Sequence, residues 1–179
     1  MKDQTKTTDK GIKAFNTIYA FGIVFAGLMF IDYLQWTFQL TKNWEMPAEP
    51  FFSKVILTDV DMSLPAYLVF AILYMIVFGF IFLGLYQLNK TTKLFAQKSI
   101  FKQEVGSAFK NAGQSFLAFA LGTLVIDIAV LAWAQTSSRV IDLLSTELIV
   151  VIILGYLMFF LADVFKEGIT LKEENELTI

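Results

Sequence analysis

The carboxyl group of Asp127 is the side chain in this sequence most suited to chemistry. It is the only charged residue in an apolar run from Ser115 to Ala134, about 10 Å from one end of that run at 1.5 Å per residue. An aspartate at the centre of a membrane helix costs about 2.5–3.5 kcal/mol, so it is by default a candidate functional residue. No apolar run contains a lysine or arginine to pair with it at that depth. We therefore expect the carboxyl to be protonated or to face a water-filled cavity.

Hydroxyl groups are the candidate hydrogen-bond partners of this carboxyl. Thr123 stands one helical turn before Asp127, and Tyr74 and Tyr156 are candidate donors from other apolar runs. Two roles fit these residues. The carboxyl is either a neutral group that bonds two helices together or part of a site that binds a ligand or carries a proton. Asp127 and Thr123 are the candidate residues for that ligand or proton site.

Other chemistry has few residues to support it. The chain has no histidine and no cysteine, which removes the commonest general base and excludes disulfides and thiol nucleophiles. Asp59 and Asp61 are a weak candidate for Ca²⁺ or Mg²⁺, which prefer carboxylate oxygens, but this spacing is more often that of the solvated face of a strand. No glycine-rich phosphate loop and no pair of carboxylates within one apolar run is present. We expect a protein that is not an enzyme and that uses no metal or other cofactor.

Four long apolar runs must position these residues. Hydrophobic residues make up 56% of the 179 residues and charged residues 17%, against about 25% charged in soluble domains. The runs cover residues 14–35, 66–88, 115–134 and 148–165, close to the roughly 20 residues that a helix needs to cross a membrane. Backbone amides in lipid need internal partners, so each run should be helical. The sequence predicts an all-α membrane protein with four transmembrane helices in a single domain.

The distribution of lysine and arginine predicts the orientation of these helices. The segment before the first run has four lysines, the linker 89–114 has five and the tail 166–179 has two; the connections 36–65 and 135–147 share three lysines and arginines. Cytoplasmic segments carry the excess of these residues. Both termini and the linker are therefore predicted to be cytoplasmic. In the outer loop, alternation of apolar and polar residues from Thr58 predicts a short strand or hairpin.

The linker 89–114 is predicted to have three parts. Leu88 to Gln97 should continue the second helix, and Lys98 to Ile100 should form a turn. Beyond the turn, apolar residues recur on one helical face with lysines beside it, which is typical of an amphipathic helix at the membrane surface. We expect this surface helix to end near Gly113. Its apolar face consists of Phe101, Val105, Ala108, Phe109 and Ala112.

Two stretches resemble the DUF2975 family of small bacterial membrane proteins. The first, IFKQEVGSAFKNAGQSF, is similar to the family segment F-x-x-E-N … L-R-x-I-G, although Val105 stands where the family usually has asparagine. The last residues, LADVFKEGITLKEENELTI, are similar to the family ending VF-x-x-G-x-x-L-x-E-x-N-x-L-T-[VI]. The matching residues are Phe101, Glu104, Phe109 and Gly113 in the first motif, and Val164, Phe165, Gly168, Leu171, Glu174, Asn175, Leu177, Thr178 and Ile179 in the C-terminal motif.

The resemblance implies a location in the bacterial inner membrane and no established biochemical activity. It also implies a small helix-turn-helix regulator as a candidate partner, because family members are often encoded beside one. Both motifs fall on the predicted cytoplasmic side, and we interpret them, with nearby lysines, as candidates for a partner interface. The interface candidates are Lys98, Phe101, Lys102, Glu104, Phe109, Lys110, Gly113, Glu174, Asn175, Leu177 and Thr178.

Three functions remain open at this point. The first is a non-enzymatic membrane sensor or regulator that holds a cytoplasmic protein partner and does not itself bind nucleic acid. The second is a small transporter or permeation protein that uses Asp127, which with four spans per chain would require a homo-oligomer. The third is a lipid-binding scaffold subunit. All three include membrane lipids as partners.

Overall fold

The computed structural model describes residues 2–42, 63–97, 102–133 and 146–177, and these residues form four α-helices with no strand among them. All four helices are long and apolar enough to cross a membrane, which confirms the prediction of four helices of this kind. The outer-loop strand and the turn at Lys98 to Ile100 lie outside the described residues. The helices are α1 (Lys2–Lys42), α2 (Leu64–Ala96), α3 (Gln103–Trp133) and α4 (Thr146–Leu177).

The helices are longer than the apolar runs that predicted them. The shortest, α3, has 31 residues, about 46 Å at 1.5 Å per residue, against a hydrocarbon layer of about 30 Å. Each helix must therefore extend out of a membrane. We call the end of the bundle where α2 ends, α3 begins and α4 ends the Gln103 end. As predicted, α2 continues past Leu88, and the Gln97 amide then donates to the Lys93 carbonyl at 3.2 Å.

The four helices pack as a row in chain order. Helix α1 packs on α2, α2 on α3 and α3 on α4, while α1 and α4 do not approach each other in the described part of the chain. Burial follows this order, since 44% of the apolar stretch of α3 is buried and only 6% of that of α1. Helices α1 and α4 are therefore the two edges of the row.

Glycine allows α3 and α4 to approach closely. A Cβ atom on Gly113 would lie 2.8 Å from the Gly155 carbonyl oxygen, and one on Gly106 would lie 3.4 Å from the Ala162 carbonyl oxygen. The pairing shows that the two helices are antiparallel. Gly106 and Gly113 are seven residues apart in α3, and Gly155 and Ala162 are seven residues apart in α4. A spacing of seven residues is the period of a left-handed crossing. Such contacts hold membrane helices together by dispersion and backbone proximity.

The prediction of a separate surface helix that ends near Gly113 is wrong, because α3 runs without a break from Gln103 to Trp133. The apolar face was identified correctly, but it packs on α2 and α4 instead of lipid. Val105 and Ala112 are fully buried, and Phe109 is 2% exposed. An apolar stripe has the same period whether it covers lipid or a neighbouring helix. Here α2 and α4 also extend beyond the apolar runs, and they cover it.

Candidate functional site

Asp127 lies between α2 and α3, where the Tyr74 hydroxyl donates a hydrogen bond to its Oδ1 atom. Both residues are 4% exposed, so the bond is shielded from water. Of the two tyrosines considered as donors, Tyr74 is confirmed. Tyr156 is 63% exposed on α4 and belongs to the surface of the bundle.

Thr123 does not act as the predicted partner of Asp127. Its side chain is 4% exposed, yet its hydroxyl oxygen has no hydrogen-bond partner among the described residues. A threonine within a helix ordinarily donates to a carbonyl three or four residues back, as Thr92 does to Leu88 at 3.1 Å. The site therefore contains one buried hydroxyl whose hydrogen-bonding capacity is not used by any residue that the structure describes.

This arrangement has two chemical capacities. A phenol–carboxyl hydrogen bond between membrane helices contributes on the order of 0.6–2 kcal/mol to their association. A carboxyl group also takes up and releases protons, and proton relay is one of the functions of acidic residues inside membrane domains. The described residues contain no group of three or more acidic side chains able to hold a metal ion, and Asp59 and Asp61 lie outside them.

A second candidate site lies at the Gln103 end, where the two motifs meet. Phe109 of the first motif stacks on Phe165 of the C-terminal motif, with ring centroids 5.3 Å apart and an interplanar angle of 15°. Phe95 of α2 completes the cluster. Its ring centroid lies 6.3 Å from that of Phe109 and 5.6 Å from that of Phe165. Three rings from three helices thus join the two motifs into one structural unit.

The contribution of α2 to this cluster was not predicted from the sequence. Leu88, Thr91, Thr92 and Phe95 recur at i, i+3, i+4 and i+7, one face of a helix. Thr91 is fully buried and Thr92 nearly so. Their hydroxyls donate to the Leu88 carbonyl, which satisfies them without a partner from another helix. The same periodicity analysis, continued past Leu88, would have identified this face.

The interface candidates divide into buried and exposed groups. Phe109 and Gly113 are buried between helices, so their assignment to a partner interface is corrected: they hold α3 against its neighbours. Lys98, Phe101 and Thr178 lie outside the described residues. The exposed candidates are Lys102, Glu104 and Lys110 on α3, and Glu174, Asn175 and Leu177 on α4.

Helix α4 projects beyond the aromatic cluster. It continues for twelve residues after Phe165, to Leu177, about 18 Å at 1.5 Å per residue, whereas α2 ends at Ala96, one residue after Phe95. Leu171 is 54% exposed and Leu177 is 87% exposed. The tail of the chain is therefore an exposed helical extension through Leu177.

This architecture is that of a multi-pass membrane protein: all-helical as far as it is described, with four helices long and apolar enough to span a membrane. More particularly, the chain belongs to the DUF2975 family, described as a protein of unknown function, whose pattern it matches over residues 6–179. The predicted resemblance to this family is thereby confirmed. No curated protein and no solved structure matches the chain.

Proposed function

We propose that this protein is a non-enzymatic regulator of the bacterial inner membrane that binds a cytoplasmic protein partner at the Gln103 end. The observation that carries the proposal is the stacking of Phe109 on Phe165. It joins the two family motifs, while the motif residues Glu104 and Glu174 remain exposed, with Lys102 and Lys110 exposed beside them. A family pattern that is partly buried and partly exposed at one place is expected where a scaffold presents a binding surface.

The orientation in this proposal follows from charge. The segments at the Gln103 end have eleven of the fourteen lysines and arginines, and such an excess is typical of the cytoplasmic side. Lipids then contact the exposed apolar faces of the four helices. The partner class is a helix-turn-helix regulator, held through protein contacts and without contact between this chain and nucleic acid.

The helices offer a route from the membrane to this surface. Helices α3 and α4 pass unbroken from the apolar stretch to the Gln103 end, and they are in backbone contact at Gly113 and Gly155. Because the packed interior has little free space, a change in helix packing within the lipid must displace the α4 extension. In this proposal, lipid state or a small molecule in the membrane alters that packing and thereby the binding of the partner.

Replacing the five lysines of the linker 89–114 with glutamine should reduce partner binding roughly tenfold or more. Each exposed ion pair contributes about 0.2–1 kcal/mol, and the five losses accumulate. The partner is identified by cross-linking in native membranes and mass spectrometry, and its recovery is then compared between wild type and variant. Lys42, Lys54 and Arg139, replaced together with glutamine, are the control from the other predicted side. Equal recovery from both variants would contradict the proposal.

A transport function at Asp127 is the second candidate. The observation that favours it is a carboxyl 4% exposed, bonded to a phenol, in an apolar stretch without lysine or arginine. Such buried acids mark ion and proton pathways in membrane proteins. A pathway through this position would require the bond between Tyr74 and Asp127 to open.

Asp127→Asn should abolish proton or solute flux in liposomes if the carboxyl carries the transported species, because an amide does not ionise at neutral pH. Tyr74→Phe is the matched control, since it removes the interhelical bond and retains the carboxyl, whereas Asp127→Asn removes the carboxyl and retains an oxygen that accepts this bond. Normal flux in Asp127→Asn, with unchanged folding, would assign Asp127 a purely structural role. Absence of flux in the wild type would remove the second candidate altogether.

A further inference from the structure

We propose that two copies of this chain form a two-fold dimer in which the edge helix α1 of each copy packs against the edge helix α4 of the other. Within one chain, the backbone of α1 approaches only α2 and that of α4 approaches only α3 in the part that is described, while Phe165 of α4 also contacts Phe95 of α2 on the inner side of the row. The row therefore has two open edges. If a two-fold axis along the membrane normal relates the two copies, the same contact between α1 and α4 occurs twice and covers both edges of both chains. Two-fold symmetry is the commonest symmetry of homo-oligomers.

Charged residues lie on the outer side of each edge helix. Lys13 stands nine residues before Gly22, whose Cβ would lie 3.4 Å from Leu85 of α2. Glu167 stands nine residues after Met158, which faces Gly113 of α3. Nine residues are about two and a half helical turns, so each charge lies opposite the contact of its helix with the row. Lys13 and Glu167 are both exposed.

The two edges carry charges of opposite sign. On α4, Asp163 stands one turn before Glu167 on the same face, and both are exposed. On α1, lysines occupy positions i, i+4, i+8 and i+11, a spacing that puts these positions on one helical face, with Asp3 and Asp9 at its two borders. These lysines are Lys2, Lys6, Lys10 and Lys13.

The charges also lie at the same depth. Gly22 of α1 faces Leu85 of α2. Lys13 is nine residues before Gly22, and Leu94 is nine residues after Leu85. Because α1 and α2 are antiparallel, Lys13 and Leu94 lie at the same depth. The next residue, Phe95, packs against Phe165 of α4, with the two ring centroids 5.6 Å apart. Phe165 lies midway between Asp163 and Glu167. An axis along the membrane normal keeps depth unchanged, so Lys13 of one copy faces these two acids of the other.

A second copy fits these edges better than lipid or an α4–α4 contact does. Anionic lipid headgroups would repel Asp163 and Glu167, whereas a basic helix attracts them. Symmetric contact between two α4 helices would place each Glu167 against its own equivalent, which is unfavourable. Helix α1 supplies both the basic residues and an exposed apolar face, which includes Val24 and Ile31.

The absence of cysteine allows a direct cross-linking test. Two tagged copies are co-expressed, one with Lys13→Cys and the other with Glu167→Cys, and membranes are oxidised. We expect a disulfide between the two tags, because the bond requires Cα atoms within about 7 Å. Lys172→Cys replaces Glu167→Cys as the control, since Lys172 is exposed but lies on another face of α4. No cross-link, or equal cross-linking of the control, would overturn the proposal.

Charge exchange tests the same contact without cysteine. Glu167→Lys and Lys13→Glu should each lower the dimer association constant roughly tenfold, since each ion pair of about 0.2–1 kcal/mol occurs twice and becomes repulsive. The two changes together should restore association. Single-molecule photobleaching of the purified full chain in liposomes gives the fraction of dimers. Monomers or larger rings in the wild type would overturn the proposal, and because no partner is present, either result leaves the proposed function untouched.

Discussion

Phe109→Ala is expected to lower the free energy of unfolding of this protein by about 3–5 kcal/mol, the usual cost of removing a buried aromatic ring. The Phe109 side chain is 2% exposed and packs between Phe95 and Phe165. Its loss would leave a cavity where α2, α3 and α4 meet. The measurement is the unfolding transition of the purified protein in mixed micelles as the fraction of denaturing detergent increases.

Phe25→Ala is the matched control for this variant. Phe25 is also a phenylalanine in a long helix, but it is 65% exposed on α1 and lies about 120° around that helix from Lys13, away from the proposed dimer contact. Its removal should change stability by no more than about 0.5 kcal/mol. If Phe109→Ala instead left stability unchanged and abolished partner binding, Phe109 would belong to the interface that the sequence analysis assigned to it. Equal destabilisation by both variants would show that the exposed face of α1 at Phe25 is itself packed against another molecule.

The apolar runs predicted the number of helices but not their ends. High hydropathy is typical of residues that contact lipid. The hydropathy falls after Leu88, where charged and polar residues begin, and it rises again at Ser115, where they end. The helices continue to Ala96 and start at Gln103, because packing between helices replaces lipid as the stabilising environment there. Only contacts distant in sequence, such as Phe95 with Phe165, determine where these helices stop, and a local pattern does not contain them.

The hydrogen-bond partner of Asp127 also depends on contacts that a local sequence pattern does not contain. Asp127 was recognisable as a candidate from its type and its apolar surroundings alone. Whether Tyr74 or Tyr156 would bond it depended on which helices are neighbours and on their rotation about their axes. The hydrogen bond from Tyr74 requires α2 to face α3, and the weak amphipathicity of lipid-exposed helices does not specify that orientation. Thr123 was close in sequence, yet its hydroxyl makes no hydrogen bond within the described residues.

The first motif was recognised correctly and its role was misassigned for a related reason. Glu104 and Lys110 are exposed, whereas Phe109 and Gly113 are buried. Sequence resemblance marks all of these positions alike, because a family pattern retains packing residues as well as binding residues. The distinction requires knowing that α4 lies against this face of α3, which depends on the pairing of Gly113 with Gly155.

Gly113→Ala is expected to destabilise the protein by about 1–3 kcal/mol, the usual cost of overpacking a close contact. The added Cβ would lie 2.8 Å from the Gly155 carbonyl oxygen and 3.1 Å from the Phe159 ring. A backbone carbonyl in a helix cannot rotate away as a side chain can. Helices α3 and α4 must therefore separate, which also weakens the stacking of Phe109 on Phe165. The same detergent unfolding measurement gives the loss of stability.

Gly79→Ala is the control, because nothing lies within 4 Å of a Cβ atom built at Gly79. Alanine is favoured over glycine in a helix by about 1 kcal/mol, so this variant should be as stable as the wild type or more stable. The sign of the effect thus differs between two identical substitutions in helices of the same bundle. If Gly113→Ala were as stable as Gly79→Ala, α3 and α4 would not be in backbone contact in the membrane. The proposed transmission from the lipid to the α4 extension would then lose its physical basis, because a loose contact between these helices does not carry a displacement.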